Sequence, residues 1–202
     1  MNIPIHRWML LASCLLLTAC SSLQAPRVES ARLYVLDARA STHLTGALSD
    51  QVLAISMPDS WPGFDTQQMA YMQHPLTLEY FATHRWADTP AHLLKPLLAQ
   101  SLEPLFRAVV TSPGLIPADL RLDTELIRLQ QDFTTRPSRI QLSLRAQLID
   151  VKNKRVIAVK LFDESENADS DDAYGGVVAA NRALQRVLGQ LAEFCLNASR
   201  NK

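Results

Sequence analysis

Apolar and polar residues alternate without a break over nine positions, residues 140–148. A period of two places successive side chains on opposite faces of a β-strand, whereas one face of a helix repeats every 3.6 residues. This segment therefore predicts a strand with one buried and one exposed face. A turn at Lys152-Asn153-Lys154 then returns residues 156–162 as its hairpin partner. The fold must supply further apolar elements that cover the buried face of this hairpin.

Other short segments have the composition of strands or of the turns between them. Runs rich in β-branched, aromatic and other apolar residues predict strands at residues 33–36, 51–57, 69–73 and 76–81. Residues 58–66, with two prolines and a glycine, predict a loop. Within residues 120–133, the apolar residues occupy even positions up to Leu126 and odd positions from Ile127. This change of parity predicts a β-bulge near those two residues.

A leucine-rich segment in the middle of the chain predicts a helix. Thr89 suits the N-cap and Pro90 the first helical position, and apolar residues then recur every three or four positions as far as Val109. Pro96 and Pro104 lie within this pattern. Each proline removes a hydrogen-bond donor and clashes with the preceding turn, so the helix is predicted to be kinked or divided into two parts.

The C-terminal segment predicts the longest helix, over residues 176–196, with a buried stripe of leucines and valines. Cys195 lies at the end of this helix, and we interpret it as a small apolar core residue. Together the elements predict a single α/β (α+β) domain. Its sheet is mixed and mostly antiparallel, and two long helices pack on it.

Composition and motifs argue against several functional classes. The chain has 20 basic and 20 acidic residues, so no excess of positive charge favours nucleic acid. It contains neither the glycine-rich patterns that bind phosphates nor the Gly-x-Ser-x-Gly nucleophile motif. The histidines beyond the N-terminal segment lack the spacing of a zinc site; they are His43, His74, His84 and His92. We therefore expect no enzymatic activity, no catalytic residue and no metal.

Six acidic residues fall within the ten positions 163–172. A calcium loop of the EF-hand type needs glycine at its sixth position and glutamate at its twelfth. Counted from Asp163, these positions hold Ala168 and Tyr174. The run is therefore interpreted chiefly as a solvated, mobile loop, with a docking surface for a basic partner as the alternative.

The N-terminal twenty residues have the pattern of a secretory signal. Arg7 precedes a mostly apolar run, and small residues follow it. The run stops before Ser21 and is shorter than the roughly 20 apolar residues of a membrane-spanning helix. Leu17-Thr18-Ala19-Cys20 resembles a bacterial lipobox. This resemblance implies cleavage before Cys20 and acylation of its thiol.

Covalent lipid on Cys20 would attach the mature protein to a bilayer, and no other cofactor is expected. Several acyl chains hold a protein on a membrane far more firmly than one chain does. Ser21 follows the cysteine, where an aspartate would resemble an inner-membrane retention signal, so we expect the periplasmic face of the outer membrane. The predicted organisation is a signal peptide at residues 1–19, an acylated cysteine and tether at 20–32, a domain at 33–197 and a tail at 198–202.

Several segments taken together resemble one protein family. They are Leu33-Tyr34-Val35-Leu36-Asp37, Ala70-Tyr71-Met72, Leu78-Glu79-Tyr80-Phe81 and Arg85-Trp86-Ala87-Asp88-Thr89-Pro90. With the lipobox, the hairpin of residues 140–162 and the final helix, they resemble the ABC-type transport auxiliary lipoprotein component family. The resemblance covers nearly the whole mature chain and implies that residues 33–197 form an auxiliary lipoprotein domain.

Members of this family accompany mammalian-cell-entry (MCE) lipid transport systems. The resemblance thus implies an outer-membrane accessory or adaptor component that helps to move lipids between the inner and outer membranes. The expected partners are an MCE-domain protein and the outer membrane, with a homo-oligomer in addition, and nucleic acid is not expected. The alternatives are a periplasmic lipid-binding carrier and an envelope-assembly lipoprotein unrelated to transport.

Three aromatic residues are candidates for the partner interface: Tyr71, Tyr80 and Trp86. Tyrosine and tryptophan are enriched among the residues that dominate binding energy. Trp86 has a second interpretation, in which it packs under the start of the leucine-rich helix and stabilises the step from strand to helix.

Overall fold

A mixed sheet and two helices make up the part of the chain that the structure describes. This structure is a computed structural model, and it describes residues 30–40, 48–112 and 117–200. Its strands are β1 (Arg32–Tyr34), β2 (Ser49–Ile55), β3 (Asp59–Ser60), β4 (Gln68–Met72), β5 (Glu79–Trp86), β6 (Phe106–Val110), β7 (Leu120–Asp132), β8 (Arg139–Asp150) and β9 (Arg155–Asn167). Its helices are α1 (Pro90–Leu102), a 3₁₀ turn (Glu103–Leu105) and α2 (Ala173–Arg200).

Strand β7 is the central element of the sheet. Along one edge it pairs antiparallel with β8, which in turn pairs antiparallel with β9. Along its other edge three short strands, β2, β3 and β4, follow one another in parallel with it. Strand β6 extends the sheet beyond β2, while β5 and then β1 extend it beyond β4. The longest ladders are antiparallel and the short ones are mostly parallel, so the predicted mixed α/β fold is confirmed.

The hairpin of β8 and β9 forms as its alternation predicts. Leu126, Leu144 and Phe162 lie opposite one another in β7, β8 and β9, and each is at most 1% exposed. Helix α2 packs against β8 and β9, whereas α1 packs against β2, β3, β6 and α2. The predicted bulge is also present, because the register of β7 against β8 shifts between Leu126 and Arg128. The core therefore lies between one face of the sheet and the two helices.

The first helix is shorter than the apolar periodicity predicts. Helix α1 includes Pro96 but ends at Leu102, and Pro104 lies in the 3₁₀ turn that follows. The segment from Phe106 onward, predicted as helix up to Val109, is strand β6 and pairs in parallel with β2. Pro104 cannot donate the hydrogen bond that would continue the helix, and the β-branched valines that follow fit a strand.

The β4–β5 hairpin also differs from its predicted boundaries. The strand predicted at residues 76–81 is β5, and it begins at Glu79 and continues to Trp86. Leu76 instead lies in the turn between β4 and β5, where its φ is +69°. An apolar run at a strand end does not by itself mark where pairing begins, because the turn geometry decides it.

The first half of the acidic run is strand and not a mobile loop, so the prediction is wrong for that half. Asp163, Glu164 and Glu166 belong to β9. Arg186 of α2 lies 2.9 Å from Glu164 and 2.7 Å from Glu166, and Arg182 lies 2.7 Å from Glu166. These pairs join helix and strand, so the acidic side chains serve internal contacts.

Candidate functional site

Trp86 lies in the core and not at an exposed surface. Trp86 is only 3% exposed, and its backbone N–H donates to the carbonyl of Gln67 at 2.8 Å. Strand β1 pairs with β5 so that Tyr34 lies opposite Trp86. The expectation that Trp86 anchors a partner is therefore corrected, and its second interpretation as a core residue fits its position.

Tyr71 lies half-buried on β4 in a cluster of rings. Its hydroxyl donates to Glu79 Oε2 at 2.9 Å. The ring centroids of Phe81 and Phe133 lie 4.7 Å and 5.9 Å from its own. The hydrogen bond to the Glu79 carboxylate, with a contribution from burial, raises the pKa of Tyr71 above its ordinary value. Tyr71 is thus held as a neutral, oriented ring.

Tyr80, on the neighbouring strand, has a different partner. Its hydroxyl donates to the carbonyl of Gly63 at 3.0 Å. Gly63 has a φ of +93°, which glycine adopts without steric cost. Tyr80 therefore ties the loop after β3 to β5. It lines the same groove as Tyr71, so the structure brings these two candidate residues together.

A continuous row of rings extends from Tyr71 towards the N-terminus of α2. The Tyr34 ring stacks on His84 at 5.7 Å, and its hydroxyl lies 3.0 Å from His84 Nδ1. His84 meets Phe81 at 5.8 Å, and Tyr34 meets Tyr174 at 6.5 Å. We name this row the aromatic surface; its members are Tyr34, Tyr71, Phe81, His84, Phe133 and Tyr174. Each is partly exposed, Tyr174 by 63%.

A large bulge in β5 places two of these rings. Gln68 pairs with Arg85 and Ala70 pairs with Tyr80. Two residue positions along β4 therefore lie opposite five residue positions along β5. The surplus residues leave the regular alternation, and Phe81 and His84 are among those between the two pairs. Their rings consequently meet, although a regular strand would point residues three apart to opposite faces.

The N-terminus of α2 is held against β7, which positions Tyr174. Asp172 Oδ1 accepts the backbone N–H of Gly175 at 2.7 Å and so caps the helix. This bond holds the pKa of Asp172 below its ordinary value. Gln131 Nε2 donates to the carbonyl of Asp172 at 3.1 Å. A Cβ on Gly176 would lie 2.2 Å from Gln131 Oε1, so only glycine permits this approach.

Two open grooves flank the aromatic surface. One, of about 540 Å³, lies between the segment after β1 and helix α2, and its lining includes Leu33, Tyr34, Val35 and Tyr174. The other, of about 590 Å³, includes Tyr71, Tyr80, Phe81, Phe133 and Arg136 in its lining. Exposed Leu33 and Val35 make the first groove the more apolar of the two.

The described residues contain little that points to reaction chemistry. Among residues 30–40, 48–112 and 117–200, no group of three or more His, Cys, Asp or Glu side chains could hold a metal ion. The thiol of Cys195 is fully buried, and burial raises its pKa to about 12, so it is not a nucleophile. Over the same residues, no helix is both long enough and apolar enough to cross a bilayer. Cys20 lies outside the described residues, and its acylation stays a prediction.

Sequence reasoning singled out Tyr71 and Tyr80, whose role at an interface stays a prediction, but it did not indicate most of the aromatic surface. Its other rings come from segments that are far apart in the chain, on β1, β5, the loop after β7 and α2. The adjacent aromatic pair Tyr80-Phe81 is the one local signal for them.

Comparison with known proteins agrees with the resemblance seen in the sequence. Residues 34–192 match the family described as ABC-type transport auxiliary lipoprotein component. The protein bll6063 of Bradyrhizobium diazoefficiens is 30% identical over 146 residues, which make up 69% of this chain and 38% of that protein. The chain thus spans well under half the length of that curated relative.

Solved structures share the fold at low sequence identity. Protein XCC0632 from Xanthomonas campestris, of the DUF330 family, has a TM-score of 0.77 at 18% identity and covers 84% of this chain and 98% of its own. The hypothetical protein CT253 from Chlamydia trachomatis has a TM-score of 0.53 at 13% identity, covering 76% and 100%. The family match includes most of the sequence, from β1 to the later turns of α2. This chain therefore belongs to the family of ABC-type transport auxiliary lipoprotein components.

Proposed function

We propose that the protein is an outer-membrane lipoprotein that acts as the adaptor of an MCE-type ABC transport system. Such a system moves lipids between the inner and outer membranes, and the adaptor would be its outer-membrane end. The lipid on Cys20 holds the domain at the periplasmic face, and the domain binds an MCE-domain protein. Membership of a transport auxiliary family supports the general role. The lipobox and Ser21 support the location.

The aromatic surface is the observation that carries the adaptor proposal. Rings that are partly exposed yet held by neighbours lose little side-chain freedom when a partner covers them. Tyr71 is oriented by Glu79, and Tyr34 by His84. Aromatic residues of this kind form the centres of many protein interfaces. The proposed interface is therefore the aromatic surface together with Tyr80, and it excludes the buried Trp86.

Replacing Tyr71 is expected to weaken capture of the MCE-domain protein by more than tenfold. Tyr71→Ala removes the ring that contacts Phe81 and Phe133, and an interface anchor contributes more than about 2 kcal/mol. Tyr80→Ala is expected to act in the same direction. The measurement is binding of the purified MCE-domain protein to the immobilised mature lipoprotein, with circular dichroism as the folding check.

Two variants serve as controls for this experiment. Tyr71→Phe keeps the ring and loses only the bond to Glu79, so it should retain most of the capture. Val159→Ala alters a residue that is 55% exposed on β9 and lies outside the aromatic surface, so capture should not change. Full capture by a folded Tyr71→Ala protein would place the interface elsewhere. Absence of capture by the wild-type protein would contradict the adaptor proposal.

The size of the two grooves favours a second candidate, a lipid-binding carrier. Volumes of about 540 and 590 Å³ fall within the range of roughly 300–1,000 Å³ typical of ligand pockets. Both grooves are open, however, and the largest core side chains of the sheet and helices are fully buried against one another. A carrier has to enclose an acyl chain, so the adaptor is the better supported of the two.

Native mass spectrometry distinguishes the carrier from the adaptor. The protein purified from cells is expected to carry no phospholipid beyond its covalent acyl chains. Co-purification of one phospholipid per chain would support the carrier and contradict this expectation. A matched sample of Phe81→Ala, which removes a wall of the second groove, would show whether any such lipid depends on that groove.

A further inference from the structure

The turn between β4 and β5 displays a leucine in an unfavourable conformation. The backbone N–H of Thr77 donates to the carbonyl of His74 at 3.2 Å, and Pro75 and Leu76 are the central residues of this turn. Leu76 has a φ of +69°, where such turns normally place glycine. The residue is fully exposed. Neither packing nor backbone preference therefore explains the leucine within the isolated domain.

Other exposed apolar residues lie just after this turn on the hairpin and on the loop after β3 that contacts the hairpin. Leu78 is 40% exposed, and its Cδ2 lies 2.8 Å from the position that a Cβ on Gly63 would take. Trp61, two residues before Gly63, is 47% exposed. We name Trp61, Leu76 and Leu78 the hairpin tip. Exposed tryptophan and leucine together are typical of segments that insert into the interface of a bilayer.

The N-terminal end of β1 is the end of that strand nearer to the hairpin tip. Strand β1 runs parallel to β5, with Arg32 opposite His84 and Tyr34 opposite Trp86. Arg32 therefore lies nearer than Tyr34 to the start of β5, which is where the hairpin tip lies. The seven positions from His84 back to Thr77 span at most about 23 Å at ~3.3 Å each.

The tether is long enough for the hairpin tip to touch the membrane. Cys20 and Arg32, where β1 begins, are twelve positions apart, and a chain of that length reaches at most about 40 Å. An acylated Cys20 therefore keeps the start of β1 within that distance of the bilayer.

We propose that the hairpin tip inserts into the surface of the bilayer that carries the acylated Cys20. The inference rests on the proposed lipid anchor and adds a second, reversible contact that orients the domain. The side chains of Leu76 and Leu78 move from water to the boundary between headgroups and acyl chains, and Trp61 lies at the level of the headgroups. The aromatic surface, which begins beyond the tip at Tyr71, is then held at a defined angle to the membrane.

A fluorescent label at the tip tests this proposal. The mature, acylated protein with Leu76→Cys is labelled with a nitrobenzoxadiazole dye and reconstituted into phosphatidylcholine vesicles. Cys20 carries lipid and Cys195 is fully buried, so the introduced thiol alone is expected to react. We expect the emission to shift to the blue, to rise at least twofold and to be quenched by brominated acyl chains.

Matched variants separate insertion from mere proximity to the vesicle. Leu161→Cys labels another leucine, 54% exposed on β9, and its emission should stay as in buffer. Leu76→Gly suits the positive φ and so preserves the turn. In the unlabelled protein it should reduce quenching of Trp61 by brominated lipid at least twofold. Trp86 is buried and Trp8 lies in the predicted signal peptide, so a change in quenching of the tryptophan fluorescence comes from Trp61.

Flotation of the vesicles distinguishes the tip from the anchor. If the wild-type protein floats with the vesicles but the label at position 76 behaves like that at 161, the tip proposal is overturned while the anchor stands. The exposed tip would then be a contact for a protein partner. If the wild-type protein does not float, the lipid anchor is wrong, and tip insertion, which depends on it, is wrong as well.

Discussion

Leu144→Asp is expected to abolish or severely weaken cooperative folding of the domain. Leu144 is 0% exposed and lies between Leu126 and Phe162 in the centre of the sheet. The change loses the transfer free energy of a buried leucine, about 2 kcal/mol, and places a carboxylate among apolar side chains. The total exceeds about 4 kcal/mol, out of the roughly 5–15 kcal/mol that stabilise a typical domain.

Thermal unfolding followed by circular dichroism measures this effect. At about 2–4 °C per kcal/mol for a chain of this size, the melting temperature should fall by about 10 °C or more. Leu161→Asp is the matched control, since Leu161 is 54% exposed and lies opposite Arg145. That variant should stay within about 0.5 kcal/mol of the wild type. Equal melting temperatures for Leu144→Asp and the wild type would mean that the opposite face of β8 is buried.

Cys20→Ala is expected to remove covalent lipid completely and to prevent outer-membrane localisation. Alanine has no thiol to accept the diacylglycerol, so the chain remains an uncleaved precursor or is mislocalised. Each buried methylene of an acyl chain contributes about 0.8 kcal/mol to membrane binding. Losing all chains therefore removes the main attachment. Incorporation of labelled palmitate and separation of inner and outer membranes are the measurements.

The other cysteine of the N-terminal segment provides the control. Cys14→Ala changes a cysteine six residues before Cys20 and outside the Leu17-Thr18-Ala19-Cys20 motif. It should be acylated and sorted like the wild type. If Cys20→Ala reaches the outer membrane in normal amounts, the interpretation of this motif as a lipobox is incorrect.

Local periodicity was enough to predict the central hairpin and the bulge. Whether a side chain points inward depends only on its position along a strand, so the alternation of residues 140–148 and the change of parity at Ile127 are visible in the sequence. The core positions Leu126 and Leu144 follow from that pattern. The predicted acylation of Cys20 is equally local, because the processing enzymes would recognise a short linear motif.

Local patterns failed where a distant segment decided the structure. Phe106 and the valines after it fit a helical repeat, yet pairing with β2 makes them a strand. The acidic run looked solvated because the cations that pair with it, Arg182 and Arg186, lie 16 and 22 positions further along the chain than Glu166 and Glu164. In both cases the deciding contact joins residues that no short window includes together.

The sequence by itself determined the fold class, the central hairpin and the family, and it singled out Tyr71 and Tyr80 as candidate interface residues. Only the tertiary structure decided that Trp86 is buried, because its side chain joins the apolar core between the sheet and the helices. It also decided the aromatic surface, whose rings meet through the β5 bulge and through the capped N-terminus of α2. Local periodicity governs which face a side chain takes, whereas contacts between distant segments govern which side chains become neighbours.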